Sequence, residues 1–358
     1  MRAMLRRSPM KLVNLMPPLA LVVLALTWGS KPPVAVLVVV GLFLASSVLA
    51  AVHHAEVIAH RVGEPFGSLV LAVAVTVIEV GLIVTLMVGD SEGNATLARD
   101  TVFAAAMITC NGILGLCVLI AAIRGHVASF NAEGTATALA TVATLAVLTL
   151  VLPTFTTSAP GPEFTSAQLA FAGVASIALY GLFVFVQTVR HRDYFVSEEE
   201  EHPAPPSDRE ALISLGLLVA GLIAVVGLAK VESKAIEDVV TGLGAPKSAV
   251  GVVIALLVLA PETLAAVRNA TRGRVQTSFN LALGSAMASI GLTIPAIAIA
   301  SIWLDGPLVL GLDSTQIVLL VISVVVGSLT VLPGRATVQE GGVHLVLFAA
   351  FVFLAVNP

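Results

Sequence analysis

Along this chain apolar residues do not alternate with polar ones. They run together in blocks near 20 residues long, separated by short charged or Pro/Gly-rich breaks. An α-helix needs about 20 such residues to cross a hydrocarbon layer about 30 Å thick. Apolar character maintained around the whole helix is not the one-faced pattern of a soluble helix or the alternation of a half-buried strand. Eleven spans are predicted, at about 13 to 29, 33 to 53, 66 to 88, 101 to 123, 135 to 152, 167 to 189, 211 to 229, 248 to 267, 277 to 302, 315 to 332 and 343 to 357. The first follows a basic stretch (Arg2, Arg6, Arg7, Lys11), but "LTWGSKPP" has no small-x-small cleavage site, so it is read as a span and not as a removable signal.

Composition agrees. Hydrophobic residues make up 58% of the 358, charged residues only 11%, and mean hydropathy is +1.02, where a soluble domain carries about 25% charged residues. The expected fold is one all-α polytopic bundle rather than two or three soluble domains. A net charge of -4 offers no basic surface for nucleic acid. The expected partners are inorganic cations, protons and the lipid bilayer, with a homo-oligomer left open, and no cofactor is expected. Cys110 and Cys117 lie seven residues apart in one apolar run, about 10 Å along a helix, too far for a disulfide between them.

Eleven crossings place the termini on opposite sides, so the basic residues fall into two sets of loops. Thirteen of the 18 Lys and Arg, among them Arg61, Arg124, Arg190, Arg268 and Arg335, fall in one set; Lys31, Arg99, Lys230, Lys234 and Lys247 fall in the other. The positive-inside bias then puts the N-terminus in the cytoplasm and the C-terminus outside, in the plasma (cytoplasmic) membrane. The polar break "HRDYFVSEEEEHPAPPSDRE" becomes cytoplasmic. It divides the chain into an N-terminal segment and first helix (1–32), a five-helix half (33–189), an acidic linker (190–210) and a second five-helix half (211–358). An odd number of spans per half makes the halves inverted repeats. "DTVFAAAMITC" (100–110) aligns without gaps to "QTSFNLALGSA" (276–286), each opening the third helix of its half.

Just before each of those helices lies a span with one acid, Glu79 in "TVIEV" and Glu262 in "LAPET". An ionised group in hydrocarbon costs roughly 2.5 to 3.5 kcal/mol on insertion scales, and such residues usually face the inside of a bundle and do work there. The plainer readings are a protonated carboxyl bonded to a neighbouring helix for Glu79, and a surface residue at the cytoplasmic end of its span for Glu262. Pro261 has no N–H to give the carbonyl of Leu257, which is free to face a cation or water. Two carboxylates brought together across a pseudo-two-fold axis cannot both ionise cheaply; they hold protons or a cation between them. Carboxylate, hydroxyl and amide oxygens suit sodium, potassium or calcium.

Supporting ligands are expected among Thr109, Asn111, Asn280, Ser285 and Ser289. The hydroxyls have the ordinary alternative of bonding to their own backbone, and an amide is costlier to bury without a partner. Gly112, Gly115, Gly284 and Gly291 are read chiefly as packing residues. The cluster His53, His54, Glu56, His60, Arg61 and Glu64 reads mainly as a wet helix end and loop, with a proton antenna or pH sensor as the other reading. Glu198, Glu199, Glu200 and Glu201 read as a solvated tether, with cation sensing as the alternative.

The blocks "GEPFGSLVLAVAVTVIEV" and "APETLAAVRNATRGRVQTSFNLALGSAMASIGLTIP", with an acidic loop between the halves, resemble the calcium/cation antiporter superfamily, in particular the bacterial ChaA-type calcium/proton antiporters. The resemblance runs from about residue 40 to the C-terminus. It implies an eleven-span exchanger that moves a cation outward against inward protons by alternating access, with Glu79 and Glu262 as the cation and proton sites. Many such exchangers carry Gly-Asn-Ala just before each glutamate, whereas this chain has "VTVIE" and "VLAPE". Losing those asparagines removes oxygen ligands and leaves sodium and potassium open beside calcium. A membrane-embedded enzyme would lack an evident centre, since HExxH and GxSxG do not occur. A passive channel is the third reading.

Overall fold

The computed structural model describes residues 7–30, 32–63, 66–88, 94–195, 205–242, 244–303 and 307–358. Its helices are α1 (Arg7–Thr27), α2 (Val34–Val62), α3 (Phe66–Met87), α4 (Leu97–Gly125), α5 (Ala132–Phe155) and α6 (Ser166–Arg190), then α7 (Asp208–Gly242), α8 (Ala249–Val258), α9 (Ala260–Thr271), α10 (Val275–Ala300), α11 (Ser314–Val331) and α12 (Val338–Val356). Among the described residues nine are long and apolar enough to span a bilayer, the bent pair α8 and α9 makes a tenth, and Leu12–Thr27 within α1 is a shorter apolar helix. Each predicted span thus corresponds to a helix, and the protein is a polytopic all-α membrane protein. Large apolar side chains such as Phe171, Val174, Leu212, Val318 and Val346 point outward, the surface a lipid solvent calls for.

Two predicted ends are wrong. The second span was expected to stop at 53 and runs to Val62; the seventh was expected to stop at 229 and runs to Gly242. Charge ends an apolar run but not a helix. Glu, Lys and Ala sustain helical backbone, and each helix continues until glycine breaks it, Gly63 and Gly244 having φ of 75° and 77°.

The chain forms two compact units, and each takes residues from both sides of the linker. The first holds α1, α2, α3 and α7. Along α2 the buried positions Val40, Leu44, Ser47, Ala51 and His54 form one stripe; along α7 they are Ser214, Leu218, Gly221, Val225, Leu228 and Glu232. The i, i+3, i+4 spacing puts each set on one helix face. The stripes meet antiparallel, Gly221 against Ala51 and Ser214 against His54. Gly81 of α3 abuts Val226 of α7, where an added Cβ would lie 2.6 Å from Cγ2.

The second unit holds α4 to α6 and α8 to α12. Its most buried spans are α4 and α10, with 72% and 67% of their apolar windows inside, against 17% for α12. Both contain a π-helical turn, Ile108–Ile113 in α4 and Ser289–Thr293 in α10, a feature that frees backbone groups and often marks functional positions. Helix α12 approaches α4 through Gly115, 2.7 Å from His344 Cβ if given a Cβ, and through Gly341, 2.8 Å from Leu119 N. Two-residue strands, Ala128–Ser129 and Arg335–Ala336, pair antiparallel.

Candidate functional site

Glu79 sits in the middle of α3 with 2% of its surface exposed. The burial sets aside a water-facing role and leaves an acid enclosed by protein within an apolar span. One turn earlier on the same face is Thr76, also buried, whose hydroxyl finds no hydrogen-bond partner among the described residues. Helical threonines usually return their hydroxyl to the carbonyl four residues back, as Thr109, Thr141, Thr149 and Thr263 do here. Thr76 does not, so a hydroxyl oxygen stands beside the carboxyl. The sequence reading missed it, although the i, i+3 spacing was there to be read.

Glu262 belongs to the second unit. The eighth predicted span is not one straight helix: α8 ends at Val258, Leu259 takes φ -85°, ψ 0°, and α9 departs at 55°. Pro261 explains the position, since it lacks an N–H for the carbonyl four residues back and its ring obstructs that carbonyl. Glu262 falls in the first turn of α9 and is buried, so the surface reading of this residue is corrected. A helix N-terminus favours negative charge there.

Thr109 is buried and donates to Ala105 O at 2.8 Å and Ala106 O at 3.0 Å, the ordinary backbone alternative. The amide of Asn111 is held by protein. Its Nδ2 donates to Ser323 Oγ at 2.8 Å, and its Oδ1 lies 3.1 Å from His344 Nδ1. The Oδ1 can only accept, which puts the proton of a neutral ring on Nδ1 and leaves Nε2 to accept from Thr330 Oγ1 at 3.1 Å. Asn280 is likewise engaged, accepting from Gln276 at 2.9 Å and donating to Phe195 O. Ser285 is half-buried on α10, and Ser289 is buried at the start of its π-helical turn. Of the expected supporting ligands, the two asparagines therefore spend their amides on packing.

His344 is fully buried and was not singled out in the sequence. Replacing it with leucine strands Asn111 Oδ1 and the Thr330 hydroxyl, at about 1 to 3 kcal/mol for buried groups left unsatisfied. Thermal unfolding in detergent is expected to show that loss for His344→Leu and a smaller one for His344→Gln. Unchanged stability of the leucine variant would show that the network does not hold these helices.

The histidine cluster forms the end of α2, with Glu56, His60 and Arg61 exposed, and His54 departs from the reading of a wet helix end. His53, His54, Glu56 and His60 all lie within α2, and His54, 1% exposed, has Nδ1 3.3 Å from Ser214 Oγ on α7. His53 packs edge-on to His54 and lies 4.0 Å from Glu56. Packing on α7 buries His54, which a linear reading of the polar cluster cannot reveal. Glu64 and the run Glu198 to Glu201 lie outside the described residues. Asp100 was also missed. It is buried at the start of α4 and held by Arg99 and Thr96 at 2.8 Å and Gln316 at 3.3 Å, a structural ion pair with its bonding capacity filled. Among the described residues no three His, Cys, Asp or Glu side chains converge as a metal cluster. A cation at either glutamate would draw on hydroxyl and carbonyl oxygens as well.

The sequence is 46% identical to y4hA of Sinorhizobium fredii over 319 residues, 88% of this chain and 87% of the relative. It is 34% identical to the sodium-potassium/proton antiporter ChaA of Escherichia coli over 347 residues, 94% of this chain and 93% of the relative. The fold matches that of the H+/Ca2+ exchanger CAX with a TM-score of 0.73, covering 97% of this chain and 88% of that one at 14% identity, a likeness of fold alone. The family described as sodium/calcium exchanger protein matches residues 32–189 and 213–357. With that match taking in the helices of both buried glutamates, the chain belongs to the sodium/calcium exchanger family.

Proposed function

We propose that this chain is a secondary active antiporter of the cytoplasmic membrane. It exports Ca2+, Na+ or K+ in exchange for protons, with Glu79 and Glu262 as the carboxylates on which cation and proton compete. The observation that carries the reading is Glu79, enclosed in an apolar span beside an unengaged threonine hydroxyl. A carboxyl in such a place is stable when neutral or when a cation balances it, and the two states are the two substrates of an exchanger. The broken helix α8–α9 supports an equivalent role for Glu262, since interrupted spans near the midplane serve as ion sites in secondary transporters. Alternating access follows if the cation-loaded and protonated forms, and not the empty ionised form, change the side to which the site opens.

The cation is drawn from three candidates. The Escherichia coli relative is named for sodium and potassium and the fold neighbour for calcium, and Thr76 supplies a neutral oxygen one turn from Glu79. Everted vesicles holding an imposed pH gradient test the reading. Addition of the transported cation is expected to discharge the gradient, with an apparent Km that rises as pH falls, and the chlorides of calcium, sodium and potassium tested singly identify it. A gradient unmoved by all three, with protein present in the membrane, refutes proton-coupled exchange.

The division into 1–32, 33–189, 190–210 and 211–358, with inverted halves, belongs to the same proposal and is supported by five spans in each half. A reporter active only in the periplasm is expected to be active when fused after Pro358 and inactive when fused between Ser197 and Ser207. A silent C-terminal fusion would remove the odd span count, and with it the inversion.

A further inference from the structure

Helix α7 carries a buried acid that the exchange scheme does not use. Glu232 is 7% exposed and continues the stripe Ser214, Leu218, Gly221, Val225, Leu228 that packs on α2. Its Oε1 has no hydrogen-bond partner among the described residues. Among the described residues no cation is paired with it either. Along their described apolar stretches the helices packed on α7 bring no charged side chain toward this end: residues 12–27 of α1, 34–48 of α2 and 80–87 of α3 contain none. Within α7 itself, Lys230 and Lys234 are exposed, and Lys230 lies over the Trp28 ring, 5.5 Å from its centroid. Glu237 and Asp238 are acids, and Lys31 falls outside the described residues.

A buried carboxylate with one oxygen unpaired and no counter-charge among the described residues is costly, whereas the neutral acid is far less so. Position matters as well. Gly81 faces Val226, and α3 and α7 run in the same direction, because both pack antiparallel to α2, Gly67 against Ala59 and Ser214 against His54. Glu79 lies two residues before that contact and Glu232 six beyond it, about 12 Å apart along the axis. Glu232 therefore stands on the far-end side of Glu79, two residues beyond Lys230, which with Trp28 has the character of an interfacial belt.

We propose that Glu232 is a third proton-binding carboxyl of this protein, separate from the exchange site, which takes up and releases protons between Glu79 and the face remote from the linker. It binds the proton only and is not a ligand of the transported cation. The proposal rests on the exchange reading for its role, but the protonation of Glu232 can be measured without transport.

A hydrophobic carbodiimide reacts with protonated carboxyls in apolar surroundings. In the intact protein in detergent, mass spectrometry is expected to find Glu232 modified, less so as pH rises, and unprotected by calcium, sodium or potassium. In proteoliposomes of defined orientation, Glu232→Gln and Glu232→Leu are expected to keep exchange with an unchanged cation Km. The pH dependence is expected to shift, at least three-fold in apparent proton affinity, only when pH is varied on the side remote from the linker. Absence of modification at every pH, or a wild-type pH profile in both variants, overturns the proposal. Complete loss of exchange in well-folded Glu232→Gln overturns it too, because Glu232 would then belong to the obligatory site. If the unaltered protein exchanges nothing, the exchange reading fails, and the carbodiimide result still decides whether Glu232 carries a proton.

Discussion

Glu79→Gln and Glu262→Gln are each expected to reduce cation/proton exchange to the background of vesicles lacking the protein, while the protein continues to fold and insert. Glutamine keeps the shape and hydrogen-bonding capacity of the acid and removes only the titrating charge. Because a neutral amide enters hydrocarbon more cheaply than an ionised acid, insertion is not expected to suffer, and blotting with size-exclusion profiles confirms that levels match. Aspartate at either position keeps the charge on a shorter arm and is expected to retain partial exchange or an altered cation preference. Thr76→Val, which preserves shape and deletes the unengaged hydroxyl, is expected to raise the cation Km while leaving proton dependence in place. Robust proton-coupled exchange in either glutamine variant would make that glutamate structural. Equal cation affinity in the valine variant would remove Thr76 from the site without touching Glu79.

A large stability effect is expected at Gly251, two turns before the break that presents Glu262. A Cβ there would lie 2.8 Å from Thr101 N, 2.9 Å from Asp100 C and 3.0 Å from Asp100 Cβ. These are backbone and near-backbone atoms at the head of α4. They cannot give way easily, because Asp100 is bound by Arg99, Thr96 and Gln316, and Arg99 also donates to Gly311 O at 3.1 Å. Overpacking against a rigid neighbour costs typically about 1 to 3 kcal/mol and occasionally more. Gly251→Val is expected at the upper end, seen as a lower unfolding temperature in detergent, with exchange falling as α8 is displaced. Gly284→Ala is the control, since nothing lies within 4 Å of the added Cβ, and its change is expected within about 0.5 kcal/mol. A Gly251→Val protein as stable as the control would mean that α8 and α4 are free to separate.

The contrast between these glycines shows what the primary structure leaves unsaid. Gly112, Gly115, Gly284 and Gly291 all read as packing residues, yet an added Cβ would meet Phe348 at 3.3 Å, His344 Cβ at 2.7 Å and Tyr180 Cβ at 3.1 Å for the first, second and fourth, and nothing for the third. Gly251 drew no attention at all. The neighbour, not the glycine, decides, and the neighbour lies far away in sequence.

What the sequence alone determined are the features governed by local chemistry against a fixed solvent. The spans are legible because a bilayer core demands about 20 apolar residues in succession. Glu79 and Glu262 stand out because charge is expensive there, and the break is foreshadowed by Pro261 because a missing N–H is a property of one residue. Tertiary structure decided how the remaining polar groups are spent. Asn111 is committed through Ser323 and His344, 212 and 233 residues away; His54 is buried through Ser214, 160 residues away; Thr76 is left unengaged. A hydrogen-bonding group has the same composition whether satisfied or not, and only the positions of distant helices in three dimensions settle which of the two it is.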